Sequence, residues 1–455
     1  MVATTERVST RLDDLIAREE DQLLKRAPEA SKLARRAGGV LAGGVASSWQ
    51  ISDPQPVWID HGAGSRVWDV DGKEFIDFHG GYGVMLAGHA HPAIVAAVQR
   101  RVQLGTHFAQ PTPDLPIVAE HLAARYGFPL WRFGNSGTEA TMDAVHLMRA
   151  VTGRDLIVKF EGAYHGHHDS VQVSVWVEEG LGPQDHPRSV ASSTGIPDAI
   201  VALTLVASFN DLDRVEALFA DHPGCIAGVI LEPVLQNCGV LAPQPGFLEG
   251  LREITTRHDA LLVFDEVKTG LTMGLGGATR HFGVTPDIVC LAKALGGGLP
   301  IAAIGGTEHV MSAIANGVYE QVGTFNGNPL SIAAAKAMLT EVAVPEAYVR
   351  LGLLQDRMRS GIESILAARH LPAHVATAGA KGSVMYSPRP MQTYRDFLEV
   401  DGRWARAAWL YQFNRGVFLP PWSKGEQWLI SFQHTEVDID RYLDTLDGFA
   451  AAVAG

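Results

Sequence analysis

Lys293 stands near the end of the apolar run DIVCLAKALGGGLP, residues 287–300, and three glycines follow it at 296–298. A lysine in such a run has either a partner or a task. Its amine can act as a nucleophile and a proton carrier. Other apolar runs also end on polar groups. FEGAYHGHHD presents Tyr164, ILEPVLQNCG presents Glu232 and Asn237, and VFDEVKTG presents Asp265. A carboxylate after a strand can simply cap the next helix. Four such ends in sequence order point instead to one shared ligand site. FGNSGTEATMDAVHLMRA adds a turn of small residues, Asn135, Ser136, Gly137 and Thr138, ahead of a helical pattern. Exposed amides and the helix dipole would favour a phosphate there. A plain capping box on Ser136 or Thr138 reads equally well.

These groups need strands to carry them. LIVKFEG (156–162), AGVILEPV (227–234), ALLVFDEV (260–267), DIVCLAKAL (287–295) and PIAAIGG (300–306) are short and rich in branched residues. Helical patterns such as GTEATMDAVHLMRAV and GFLEGLREITTRH lie between some of them. The alternation predicts an α/β fold with a mostly parallel sheet, helices on both faces and ligands beyond the carboxyl ends of the strands. RVWDVDGKEFIDF predicts a hairpin turning at Asp71-Gly72. Three regions are expected: an N-terminal helix and segment over 1–65, a large α/β domain over 66–335 and a small α+β domain over 336–455. No P-loop or dinucleotide fingerprint is present. His165, His167 and His168 lie close together but lack the spacing and second cluster of a zinc site, so no metal is expected.

A helix start suited to phosphate, an aromatic ring at Tyr164, an aspartate at Asp265 and a lysine at Lys293 together suit pyridoxal 5′-phosphate. The lysine would form a Schiff base with its aldehyde, and the aspartate would keep its pyridine nitrogen protonated. The chain resembles the class III, fold-type I pyridoxal-phosphate enzymes, and most of all the glutamate-1-semialdehyde aminomutases. WDVDGKEFIDF, GHAHP, NSGTEATMDAVHLMRA, KFEGAYHGHHDS, FGVTPDIVCLAKALGGGLP and GTFNGNPL carry the resemblance, from about Arg66 to Leu330. It implies Lys293 as the cofactor lysine and proton shuttle, and Asp265 at the pyridine nitrogen. Gly137 and Thr138 would bind the phosphate with Ser136 nearby, Tyr164 would stack on the ring, and Asn237 would lie near the phenolic oxygen and the substrate. It also implies a homodimer, with Thr324 reaching the neighbouring subunit's phosphate.

The substrate contacts depart from the aminomutase pattern. Where that family has a serine and an arginine, AGGVLAGGVASSWQ offers Ala42 and Ala46. No arginine follows DEVKTG in LTMGLGG, and none lies in WSKGEQWLISFQHT. Glu426 sits eight residues before His434, as the family's glutamate does. Glu232 and Glu426 are the substrate-contact candidates. The expectation is an aminotransferase taking its amino group from an amine or a non-α-amino acid and passing it to a keto acid. The aminomutase is the alternative; a racemase or epimerase and a non-catalytic binder of the cofactor stand behind it. The loop over 166–197, rich in Gly, Pro and Ser, reads as an active-site lid.

The 455 residues carry a formal net charge of −13 with no basic block, which argues against nucleic acid as a partner and for small-molecule substrates. No apolar run is long enough to cross a bilayer. Three scattered cysteines fit neither a zinc site nor a disulfide scaffold, and a cytoplasmic setting is expected.

Overall fold

A computed structural model describes residues 2–421, 424–425 and 428–454. The chain forms two compact units, one from Met1–His91, Val349–Pro390 and Val400–Gly455, the other from Pro92–Tyr348 and Met391–Glu399.

The first unit contains the hairpin. Arg66–Asp69 pairs antiparallel with Glu74–Asp77. Gly72 in the turn has φ 82°, a conformation that glycine adopts without strain. Val417–Phe418 adds to Glu74–Asp77 in parallel, a long-range pairing. The N-terminal helix Val2–Arg26 buries Leu12, Leu15 and Leu23 in a core shared with Phe75, Phe413 and Tyr442, so its apolar stripe faces protein and not solvent.

The second unit holds a seven-stranded sheet. Its strands run in the spatial order Leu130–Gly134, Ala302–Gly306, Ile288–Leu291, Leu261–Asp265, Ile226–Leu231, Leu156–Phe160 and Thr204–Ala207. Only Ala302–Gly306 runs antiparallel to its neighbours. Every residue of Ile226–Leu231 and Leu261–Asp265 is buried, as expected of central strands covered on both faces. The helix Gly137–Thr152 packs Ala144, Leu147 and Met148 into the core beneath the sheet residues Ile157, Ile230 and Val263. The sheet thus brings the ends of its parallel strands to one edge. Among the described residues no helix is long and apolar enough to cross a membrane.

Lys159 is a fully buried lysine in the strand Leu156–Phe160, and its Nζ donates to the carbonyl of Val173 at 2.6 Å. Burial pushes its amine down from 10.5 to about 7, opposed chiefly by the nearby Glu232. The unfolded chain then binds the extra proton between those two values, so stability rises as pH climbs through that window. Thermal melts should show Lys159→Met improving relative to wild type as pH falls from about 10 to about 7. A difference that does not change with pH would contradict the buried, readily neutralised amine.

Candidate active site

Lys293 lies just beyond the strand Ile288–Leu291, not within it, and opens a short 3₁₀ turn. Its φ is 47°, a left-handed conformation that costs a non-glycine residue about 1–2 kcal/mol. It is half-buried, between buried Ala292 and buried Ala294. The glycines that follow answer to packing. A β-carbon on Gly296 would lie 2.8 Å from Ile301, and one on Gly297, at φ +54°, 2.4 Å from Ile94. No bulkier residue fits either place without a shift.

Asp265 ends the neighbouring strand at 3% exposure. Its Oδ2 lies 2.8 Å from Nδ1 of His165, and its Oδ1 accepts from the amide of Val267 at 3.0 Å. Ionised carboxylate oxygens only accept, so Nδ1 carries the hydrogen. Glu232, also 3% exposed, ends the strand between them. Its Oε1 accepts from the Tyr164 amide at 3.0 Å, and its Oε2 from the Gln236 amide at 3.3 Å. Asn237 donates Nδ2 to both Glu232 oxygens, at 3.1 and 3.2 Å. The amide orientation is fixed by a further residue, because Lys268 donates Nζ to Asn237 Oδ1 at 2.9 Å and to the Gln236 carbonyl at 3.1 Å. Tyr164, Glu232, Asn237 and Lys268 therefore form one network.

The turn 135–138 realises the capping box. Ser136 accepts from the Glu139 amide at 3.3 Å, and the Glu139 carboxylate accepts from the amides of Asn135 and Ser136 at 2.5 and 2.8 Å. Gly137 and Thr138 occupy the first two helical positions, whose amides have no partner within a helix. The site loop sits directly on this turn. A β-carbon on Gly166 would approach Thr138 Oγ1 to 2.6 Å, and one on Gly137 would approach Val267 to 3.0 Å. Thr324 lies in an exposed turn that is tied back by Asn326, which accepts from Asn135 at 3.1 Å. Glu426 lies outside the described residues.

The three histidines diverge. His165 serves Asp265, while His167 Nδ1 lies 3.2 Å from Thr138 Oγ1. His168 is pushed down to about 3 by burial and by the neighbouring His165. The loop after them is anchored along its first half. Val171, Val173 and Val175 are buried, and Ser174 exchanges hydrogen bonds with Val190 and Arg188. Sequence patterning singled out neither His165 as a partner of Asp265 nor Lys268. Their one signal was adjacency to Tyr164 and Asp265.

Residues 49–408 match the family model for class III aminotransferases. The chain is 40% identical over 417 residues to glutamate-1-semialdehyde 2,1-aminomutase 2 of Exiguobacterium sibiricum, covering 90% of this chain and 94% of that one. Its fold superposes with a TM-score of 0.90 on an omega-transaminase from Sphaerobacter thermophilus, at 32% identity, covering 95% and 100% of the two chains. A glutamate-1-semialdehyde aminomutase from Pseudomonas aeruginosa in complex with PMP gives the same score at 29% identity, covering 98% and 99%. The chain belongs to the class III aminotransferase family and is an enzyme of that kind. Within the family it is similar to both an aminomutase branch and an omega-transaminase.

Removing the imidazole from Asp265 leaves a buried carboxylate short of a charge-assisted hydrogen bond. His165→Ala should lower stability in urea unfolding by about 1.5–3 kcal/mol, with partial recovery in His165→Asn. An unchanged midpoint would contradict the bond.

Proposed function

We propose that the chain is an intermolecular aminotransferase that binds pyridoxal 5′-phosphate at the strand-end site and takes its amino group from an amine or a non-α-amino acid, such as a β-amino acid. The observation that carries the donor class is the absence of arginine from the segments that would grip an α-carboxylate. Ala42 and Ala46, both exposed, stand where the aminomutase pattern has its polar grip, and LTMGLGG follows DEVKTG. A methyl group cannot replace the bidentate hold of a guanidinium.

The residues present fit this cofactor. Asp265 is buried, and each of its oxygens keeps acceptor capacity beyond the single bond described above. Gly137 and Gly166 keep side chains out of the cradle at the helix start. When bound, pyridoxal 5′-phosphate supplies an electron-withdrawing ring that stabilises negative charge at the substrate carbon. Lys293 would hold the cofactor through Nζ, and the same amine would carry a proton to and from the substrate carbon. Asp265, oriented by His165 and the Val267 amide, holds the proton on the ring nitrogen. The amides of Gly137 and Thr138 hold the phosphate, with Ser136 nearby. Tyr164 would stack on the ring, and Asn237, aligned by Lys268, would serve the phenolic oxygen. Glu232, which holds the Tyr164 amide and Asn237, and Glu426 are the candidate substrate contacts. Thr324 serves the partner copy of a homodimer. The unpaired cysteines support a cytoplasmic setting.

The strict aminomutase is the second reading, favoured by the 40% identical relative. Incubation with a panel of amines and β-amino acids plus pyruvate or 2-oxoglutarate separates the two. Keto product from the donor and aminated acceptor are expected. Turnover of glutamate-1-semialdehyde with no transfer from any donor would overturn the proposal. In the same assay Lys293→Ala should be inactive while melting within a few degrees of wild type.

A further inference from the structure

His167 lies where the loop after Tyr164 meets the start of the helix Gly137–Thr152. Its backbone amide donates to Thr138 Oγ1 at 3.4 Å, and its Nδ1 lies 3.2 Å from the same oxygen. Packing sets this contact. A β-carbon on Gly166, which has φ 99°, would come within 2.8 Å of the Thr138 Cα. Only glycine lets the loop lie so close. His167 is exposed and Thr138 half-buried. A threonine hydroxyl has one proton to give and two lone pairs to receive with. One lone pair takes the His167 amide. At Nδ1 two arrangements remain. Without a hydrogen, Nδ1 takes the hydroxyl proton, and Thr138 has none left to offer. With a hydrogen, Nδ1 donates to Oγ1, and the hydroxyl is free to donate to an anion at the helix start. An anion there favours the second arrangement, and most of all the full imidazolium, whose positive charge then lies beside the negative one.

We propose that His167 is a positioning residue for the cofactor phosphate: it turns the Thr138 hydroxyl toward that phosphate and takes up a proton when the phosphate binds. The assignment rests on the reading above that the phosphate lies at Gly137 and Thr138. An imidazole is the side chain that titrates near neutral pH, and the other groups of the two elements are committed elsewhere. On the loop, His165 serves Asp265. His168 is pushed down to about 3 by burial and by His165, so it stays neutral near pH 7. Asp169 is an exposed carboxylate. On the helix, Glu139 accepts from the amides of Asn135 and Ser136, and Asp143 accepts from Tyr319 and Gln321. His146 Nδ1 lies 3.3 Å from the Tyr319 hydroxyl, and Arg149 donates to the Asp155 carbonyl at 2.9 Å. Lys268, beside the Val267 that packs on Gly137, donates to Asn237. His167 alone pairs with the hydroxyl at the helix start.

The test titrates the full chain, freed of cofactor, with pyridoxamine 5′-phosphate and with pyridoxamine, which lacks the phosphate. Calorimetry in buffers of different ionisation heat reads both affinity and protons taken up. Wild type, His167→Ala and His167→Asn are compared near pH 7. In His167→Ala the Kd for pyridoxamine 5′-phosphate should rise about five- to tenfold, while that for pyridoxamine moves less than about twofold. Wild type should take up more protons with the phosphate ligand than His167→Ala does. His167→Asn, which still offers Thr138 a hydrogen-bond partner but cannot ionise, should regain part of the affinity and none of the extra proton. The affinity gain belongs to the charged imidazole, so it should be present near pH 6 and shrink as pH rises to about 8. Equal losses for both ligands in His167→Ala would overturn the proposal and make the contact a plain loop anchor; so would an unchanged proton uptake. If wild type binds the two ligands equally well, the phosphate reading itself fails. A phosphate preference that survives intact in His167→Ala would overturn the role of His167 alone.

Discussion

Two buried carboxylates at adjacent strand ends hold the site together. Glu232 takes the amide of Tyr164, and Asp265 takes the imidazole of the next residue, His165. The loop that follows Leu156–Phe160 is thereby drawn across the strand Ile226–Leu231 towards Leu261–Asp265. A buried carboxylate without partners is costly, so neither anchor can be released cheaply. The aromatic ring of Tyr164, the amide of Asn237 and the turn at Thr138 all take their places relative to that crossing. The parallel sheet makes the arrangement possible because it brings these strand ends to one edge.

The lysines show how one side-chain type takes three roles through environment. Lys159 is sealed within the sheet and pushed down to about 7 by burial. Lys268 is committed to Asn237 and the Gln236 carbonyl, which settles the amide's orientation. Lys293 sits past its strand on a strained turn and is only partly buried. Backbone strain of this sort concentrates at functional positions, which supports the proposed role of Lys293 over the other two.

Much of this was legible in the sequence. The five central strands, the helix Gly137–Thr152 and the hairpin at Asp71-Gly72 follow from branched apolar runs, a capping signal and an Asp-Gly turn. The two strands of the seven-stranded sheet that patterning missed, Leu130–Gly134 and Thr204–Ala207, are its edges. An edge strand has one paired side, and the first of these leaves Leu130 exposed, so its sequence lacks the continuous apolar run of a central strand. The site shows the same division. Lys293, Asp265 and Tyr164 stood out as polar or aromatic residues at strand ends. His165 read as one of three clustered histidines, because only the fold reveals that Asp265 lies against it. The loop over 166–197 read as a lid from its Gly, Pro and Ser content. Its anchoring comes from Tyr394 and Arg395, more than two hundred residues away, and no local pattern reports that.

The central claim is that the cofactor is carried by Lys293, on the turn beyond its strand. Borohydride reduction of the pyridoxal-phosphate-loaded enzyme, followed by peptide mass spectrometry, tests it most directly. The account predicts a single reduced adduct on the peptide containing Lys293. An adduct on Lys268 or Lys159 instead, or none on any lysine, would contradict it.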